Sequence, residues 1–217
     1  MKMKKYLNLI LVTLLLTGIL ISCKKSCDTT PLPKDYTASI KDKSWWGEFT
    51  YAGETAEYYS VHFNADNTLT WSQFSGDYTG HWILTGKQLT ITFDGNSEEI
   101  KANISDDDKL VNITDNTTAS EINNGQLSVN STIPLDNTVW NGTIRFTSIK
   151  ALQLNFKPGL QVVINQENMP VNTYTYTRNS SNSVIRVGGS FFGIITSDGK
   201  MKGSNGGALF IWQATKQ

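Results

Sequence analysis

The two histidines, His62 and His81, are the side chains of this chain best suited to bind a transition metal. Imidazole is a common ligand for such ions, but a site needs three or four donors held close together. Both histidines have the opposite parity to the aromatic residues around them, so we expect both on the solvent side of their strands. Since no third ligand is evident, we predict no metal site and no bound cofactor.

The acids and possible nucleophiles do not form a catalytic pattern. Gly-x-Ser-x-Gly does not occur, and no Cys-His arrangement is evident. Glu57 and Glu99 flank predicted strands and do not read as the paired carboxylates of a glycosidase. Asp106, Asp107 and Asp108 are consecutive, whereas a calcium loop spaces its acids at alternate positions and adds a distal Glu. The sequence favours a solvated turn there and a protein that is not an enzyme.

Aromatic side chains are the remaining candidates for a site, and four of them could bind a ligand: Trp71, Trp82, Tyr174 and Tyr176. They could line a cavity or fill a core. A barrel of eight strands of about six residues is just wide enough for its own side chains or one small ligand. Several large rings would occupy most of that space, which favours a packed core. A ligand would then bind at a barrel mouth or between the two repeats described below.

The elements that must position these residues are short strands. Apolar residues alternate with polar ones through most of the chain after residue 43, as at Tyr59, Val61 and Phe63. Turn sequences such as Thr85-Gly86-Lys87 and Lys157-Pro158-Gly159 separate the segments. Beyond residue 22 no segment keeps a helical period for three turns, so we predict an all-β protein.

The pattern repeats once. Four pairs of residues recur 93 or 94 positions apart: Trp46 and Trp140, Phe63 and Phe156, Trp82 and Tyr176, Ile91 and Ile185. We therefore predict two repeats, 44–130 and 136–217, with about eight strands each. Two tandem small antiparallel β-barrels fit this count, because closure removes exposed strand edges. An antiparallel β-sandwich is the alternative, since alternation alone does not distinguish the two.

The N-terminus reads as an export signal. Three lysines precede an apolar run at 7–21, which is short for a membrane span. The sequence Leu20-Ile21-Ser22-Cys23 then resembles a bacterial lipobox, and the following lysines are similar to those of lipoproteins of Bacteroidetes. This resemblance implies a signal peptide at 1–22 and lipidation, palmitate included, at Cys23. An ordinary secretory signal with an incidental cysteine is the alternative.

Tryptophan and glycine lie together near the start of each repeat, in Trp45-Trp46-Gly47 and Trp140-Asn141-Gly142. This resembles the calycin pattern of lipocalins and avidins, although glycine here follows the tryptophan. The resemblance implies a lipocalin-like barrel in which the tryptophan closes one end. Neighbours on a strand point to opposite faces, so either Trp45 or Trp46 could be the plug. The 94-residue spacing favours Trp46 beside Trp140.

Residues 23–43 contain two prolines and many small polar residues, and we expect a flexible tether. Cys27 lies in this segment without a partner once Cys23 carries lipid. The whole chain has 19 basic and 19 acidic residues, and removal of Lys2, Lys4 and Lys5 leaves a net charge of −3. Without a basic cluster, binding to nucleic acid is not expected.

The sequence thus predicts a lipid-anchored lipoprotein of the cell envelope, on the periplasmic face or at the cell surface. Its expected function is a non-catalytic binding module for a small or amphipathic ligand. The alternative is a structural or protein-interaction subunit of an envelope complex.

Overall fold

A computed structural model describes residues 34–51, 57–116, 120–128, 133–196, 198–205 and 210–217. The predicted signal peptide at 1–22, the predicted lipidation site Cys23 and Cys27 lie outside the described residues. Within them are one short helix and sixteen strands: α1 (Tyr36–Ile40), β1 (Lys43–Tyr51), β2 (Glu57–Phe63), β3 (Thr68–Gln73), β4 (Gly76–Thr85), β5 (Gln88–Phe93), β6 (Glu99–Ile104), β7 (Lys109–Asp115), β8 (Ser120–Ser128), β9 (Val139–Arg145), β10 (Ile149–Lys157), β11 (Gln161–Gln166), β12 (Asn172–Arg178), β13 (Val184–Val187), β14 (Phe191–Ile195), β15 (Lys200–Asn205) and β16 (Ile211–Lys216). No helix among the described residues is long and apolar enough to cross a bilayer.

The strands form two closed antiparallel barrels, β1–β8 (barrel 1) and β9–β16 (barrel 2). Each strand pairs with its neighbours in sequence, and the pairs β1–β8 and β16–β9 close the sheets. Closure gives the edge strands hydrogen-bond partners that an open sheet would lack. The all-β prediction of two tandem barrels is confirmed, and the sandwich alternative is wrong.

Alternate residues of each strand fill the barrels, as the two-residue period predicted. In barrel 1 the pairs Val61–Trp71, Phe63–Leu69 and Trp82–Ile91 face each other on neighbouring strands, and all six side chains are buried. Barrel 2 is filled in the same way by its own cluster of fifteen buried residues. Both cores are therefore packed.

The end of each barrel where its first strand begins is closed by a residue that precedes that strand; we call it the closed end. Ile40 of α1 is fully buried in the core of barrel 1, and Leu135 is buried in barrel 2 at the equivalent place, 95 residues later. Asp35 begins α1 by accepting hydrogen bonds from the amides of Thr37 and Ala38. The prediction of a flexible tether over all of 23–43 is wrong for residues 36–40, because this segment is helical and Ile40 packs inside the barrel.

Trp45, and not Trp46, is the plug of barrel 1. The side chain of Trp45 lies inside the barrel with no exposed surface, and Trp140 does the same in barrel 2. Pairing supports this equivalence, because Trp45 faces Val61 and Trp140 faces Leu154 on the next strand. Trp46 therefore points outward, where it packs against barrel 2. The spacing of 94 residues misled the choice by one position, and one position reverses the face of a strand.

Two other predicted pairs occupy equivalent places in the barrels. Phe63 meets Trp82 edge to face at 5.9 Å, and Phe156 meets Tyr176 in the same way at 5.1 Å. The fourth pair is displaced: Trp82 faces Ile91, whereas Tyr176 faces Val187, so Ile91 corresponds to Val187 and not to Ile185.

The barrels pack side by side through an inter-barrel cluster on their outer faces. Its buried members are Trp46 and Tyr58 from barrel 1 and Val184, Phe192 and Ile194 from barrel 2. Packing of these faces removes apolar surface from water that either barrel alone would expose.

Polar contacts show that the barrels point the same way. Near the closed ends, the Ser183 hydroxyl lies 3.4 Å from those of Ser44 and Ser60. Further along β13, Arg186 donates to the carbonyl of Gln73 at 2.9 Å and to the carboxylate of Asp77 at 2.6 Å, at the opposite end of barrel 1. The two open ends, defined as those opposite the plugs, therefore lie on one side of the molecule.

Candidate functional site

The open end of barrel 1 contains a pocket of about 140 Å³. Its apolar lining consists of Phe49, Trp71, Phe93 and Ile122. Its polar lining consists of Gln73, Tyr78, Asn96 and Glu98. These residues come from the ends of β1, β3, β4, β5 and β8 and from the loop before β6, so one end of the barrel gathers residues from most of its sheet. A cavity of roughly 150 Å³ holds one benzene ring, which sets the scale of a ligand.

Ring contacts hold the aromatic wall of the pocket in place. Trp71 stacks on Tyr59 with 4.2 Å between ring centroids and an angle of 6° between ring planes. The ring of Phe93 meets Trp71 edge to face at 5.7 Å. Offset and edge-to-face pairs are the favoured aromatic geometries, so the wall is rigid before any ligand arrives.

A chain of hydrogen bonds holds the polar side. The indole Nε1 of Trp71 donates to Oε1 of Gln73 at 2.8 Å, and Nε2 of Gln73 donates to Oγ of Ser75 at 2.7 Å. Oγ of Ser75 lies 3.0 Å from the hydroxyl of Tyr78. The amide and phenol groups at the mouth are therefore oriented by neighbours and not by solvent.

Glu98 supplies the charge of the pocket. Burial raises the pKa of its carboxyl, and the nearby negative charge of Asp115 raises it further. Within the described part of the chain, the Glu98 carboxylate has no hydrogen bond or ion pair. A partly buried carboxylate left without a partner beside aromatic rings marks a functional candidate, since burial of its charge is costly without compensation.

Trp212 fills the open end of barrel 2, at the place that the pocket takes in barrel 1. Trp212 faces Ile144 on β9 in the place that Ile122, facing Phe49, takes in barrel 1. Its ring lies against Gly193 and Gly203, where an added Cβ would come within 2.7 Å of the indole. Glycine at these two positions makes room for the tryptophan.

The predicted ligand-binding residues are not brought together. Trp71 lines the pocket, but Trp82 lies deep in the same core and donates its Nε1 proton to the carbonyl of Asn64 at 3.2 Å. Tyr176 is buried in barrel 2, where its hydroxyl donates to Asp136 at 3.3 Å. Tyr174 is 38% exposed at the open end of barrel 2. Of the four, only Trp71 lines this pocket.

Sequence reasoning missed Phe49, Phe93 and Glu98 as site residues. The alternation of residues places Phe49 and Phe93 inside the barrel, and their positions at strand ends place them at its mouth. The sequence therefore contained a signal for these two residues. Glu98 lies in the loop before β6, outside any alternating segment, so no pattern in the sequence indicates it as a site residue.

A second pocket of about 370 Å³ lies between the open ends of the barrels. Glu48 and Tyr58 line it from barrel 1, and Arg145 and Ile211 line it from barrel 2. Burial raises the pKa of Tyr58 to about 12; Glu48 adds to this rise and Arg145 opposes it. Opposite charges thus reach the same crevice.

The two histidines lie apart. His81 is exposed as expected and lies 3.5 Å from Asp94. His62 is on the outside of barrel 1 but is half-buried at the contact with barrel 2, with its Nδ1 3.0 Å from the hydroxyl of Ser44, so its placement in solvent was wrong. Ser44 is fully buried, and a substrate cannot reach this serine–histidine contact while the barrels are packed. Among the described residues no group of three His, Cys, Asp or Glu could hold a metal.

The acidic run at 106–108 forms a hairpin turn that recurs in barrel 2. Oγ of Ser105 donates to Asp107 at 2.6 Å, and Asp107 pairs with Lys109 at 2.6 Å. Thr196, Asp198 and Lys200 form the same contacts between β14 and β15. Hydrogen bonds from Lys109 and Ser105 lower the pKa of Asp107 to about 2. Asp107 is thus held by turn contacts, whereas Asp106 pairs with Lys87 at 2.9 Å.

Comparison of the chain with protein families, with curated proteins and with solved structures finds no match in any of the three.

Proposed function

We propose that this protein is a lipid-anchored binding module of the bacterial cell envelope, and that a small ligand enters the open end of barrel 1. One observation carries the proposal: barrel 1 keeps open an aromatic pocket whose Glu98 carboxylate has no partner among the described residues, whereas a tryptophan fills the equivalent end of barrel 2. A purely structural pair of barrels would gain stability by filling both ends.

Helix α1 and the pocket lie at opposite ends of barrel 1. The chain reaches α1 at the closed end of barrel 1, and both open ends lie on the opposite side. The proposed location is the periplasmic face or the cell surface, and the proposed role is lipocalin-like and non-catalytic.

Anchoring is tested by the substitution Cys23→Ala. We expect this variant to leave the membrane fraction, or to remain unprocessed, and to lose labelling by radioactive fatty acid. Cys27→Ala, which changes the neighbouring cysteine, is the control and should keep both. Equal labelling of wild type and Cys23→Ala would refute lipidation at this residue.

Ligand binding is tested by NMR titration of the chain from residue 24 onward with ring-sized neutral, anionic and cationic compounds. We expect shifts concentrated at the amides of Phe49, Gln73 and Glu98. Ile122→Trp places in barrel 1 the side chain that fills barrel 2, and should abolish these shifts. Ile83→Trp, on an outward side chain that is 67% exposed, is the matched control. If no compound perturbs the mouth, or if Ile122→Trp binds like wild type, the proposal fails.

A second candidate function is contact with another envelope protein. Ile149, Met169 and Val171 are 69%, 58% and 59% exposed on the open side of barrel 2. Exposed apolar groups of this kind favour a protein contact. The double substitution Met169→Ser and Val171→Ser should release a stoichiometric partner from the protein in native envelopes, whereas Ile122→Trp should retain it. The opposite pattern would remove this alternative.

A further inference from the structure

The pocket at the open end of barrel 1 carries one sign of charge. Glu98 is the charged residue among the described residues that line it, and no lysine, arginine or histidine is among them. Asp115 is close enough to raise the pKa of Glu98, so a second carboxylate lies near the first. The electrostatic potential of the mouth is therefore negative, which disfavours an anionic ligand.

Glu98 is in an unusual position for a surface acid. Its side chain is half-buried. Its backbone amide, and not its carboxylate, makes a hydrogen bond, to Oδ1 of Asn96 at 2.9 Å. Glu99, the next residue, pairs with Lys101 at 2.7 Å. The neighbouring acid thus has the cation that Glu98 lacks among the described residues, and a bound cation would offset the cost of burying the Glu98 charge.

The walls of the pocket suit the same ligand. Phe49, Trp71, Phe93 and Tyr78 present aromatic rings, whose electron-rich faces attract cations. The fold uses this attraction elsewhere: Nζ of Lys202 lies 4.8 Å from the ring centroid of Trp46, and the guanidinium of Arg186 lies 5.1 Å from that of Phe192. The volume, near that of one benzene ring, admits a trimethylammonium group but no large lipid tail.

We propose that the open end of barrel 1 binds a small organic cation, an alkylammonium group, with Glu98 as its counter-ion and the aromatic wall around its carbon surface. This inference rests on the proposed function and names the class of ligand. The cation is attracted by the carboxylate, and its methyl or methylene groups replace water against Phe49, Trp71 and Phe93.

The test compares choline with 3,3-dimethylbutan-1-ol, which has the same shape with carbon in place of the charged nitrogen. Isothermal titration at pH 8 with the chain from residue 24 onward should show choline binding roughly tenfold more tightly than the neutral alcohol. Glu98→Gln should remove this preference. Glu99→Gln, which changes the neighbouring acid outside the pocket, should keep it.

Three outcomes are distinguished. Preference for choline in wild type that is lost in Glu98→Gln supports the proposal. Equal binding of both compounds, or a preference that survives Glu98→Gln, overturns the assignment of a cation while binding at the mouth stands. If neither compound binds, the cation proposal fails, and the NMR panel then decides whether the mouth binds any small molecule.

Discussion

At the scale of single residues, Trp45 and Trp46 show how adjacent side chains take different tasks. Trp45 fills barrel 1 beside Val61, and Trp46 joins the inter-barrel cluster with Tyr58. The strand alternates its faces, so the inner tryptophan stabilises one core and the outer one stabilises the contact between two.

Substitution of each tryptophan by alanine should separate these tasks. Trp45→Ala leaves a cavity in a closed core and should lower the free energy of unfolding by about 3–5 kcal/mol. Trp46→Ala should cost less, because Trp46 is 7% exposed and its partners can shift at an interface. Urea melts followed by circular dichroism measure both. A larger loss for Trp46→Ala would contradict the assignment of Trp45 as the plug.

A hydrogen bond distinguishes the two plugs. Nε1 of Trp140 donates to the hydroxyl of Thr138 at 2.9 Å, whereas Nε1 of Trp45 is buried and has no partner among the described residues. Thr138 and Lys43 occupy equivalent places, since each precedes its tryptophan by two residues and lies opposite the matching phenylalanine, Phe156 or Phe63.

Lys43→Thr should therefore stabilise the protein by about 1 kcal/mol, the typical net value of a buried hydrogen bond. The same change in a Trp45→Phe background, where no indole proton exists, should have no such effect. Urea melts of the four proteins form a double-mutant cycle. Equal effects in both backgrounds would show that the gain does not come from this hydrogen bond.

At the scale of elements, α1 acts as a lid on the core of barrel 1 although it has only five residues. Such a helix is too short to be stable alone. Its cap at Asp35 and the burial of Ile40 hold it in place.

Ile40→Ala should lower the free energy of unfolding by about 2–5 kcal/mol, as expected for a fully buried aliphatic side chain. Ala38→Ser, on the exposed side of the same helix, is the control and should change it little. Both are read from urea melts. If Ile40→Ala melts like wild type, the segment before β1 is a tether up to residue 43, as the composition suggested.

At the scale of the whole molecule, His62 lies beside the contact between the barrels. Burial lowers the pKa of His62, and the negative charge of Asp42 opposes this shift. Its Nδ1 lies beside Ser44, whose hydroxyl is 3.4 Å from that of Ser183 in barrel 2. The folded protein therefore favours neutral His62.

Acid should weaken the protein through this group. The unfolded chain takes up a proton at His62 near pH 6.5, whereas the folded protein does so only at lower pH. Stability is thus complete above about pH 6.5 and falls as the pH decreases toward the folded pKa. Urea melts between pH 8 and 5 should show this loss in wild type and not in His62→Gln.

His81→Gln is the matched control and should retain the wild-type slope. Carboxyls with lowered pKa, such as those of Asp66, Asp107 and Asp198, lose their contribution only near or below about pH 4, so they do not interfere. The same pH dependence in wild type and His62→Gln would assign the effect to another group.

Much of the fold could be predicted from the sequence, because the period of two is a local property. Phe63, Phe156 and Tyr176 have polar neighbours on both sides, and any barrel built from these strands must place them inside. The repeat of this pattern predicted two barrels with matching cores, and the turn residues predicted where strands end. These results need no knowledge of what lies beyond each strand.

Tertiary structure alone decided the rest. Outward residues of a strand alternate in the same way whether the outer face meets water or a second barrel. The surroundings of Trp46 and His62 therefore depend on how the two barrels pack. Ile40 closes barrel 1 because the end of the barrel presents apolar side chains against which it packs. Glu98 became a site residue because the barrel end brings it next to Trp71, which is 27 positions earlier in the chain. Contacts between distant segments depend on closure of the sheet, and no local pattern encodes them.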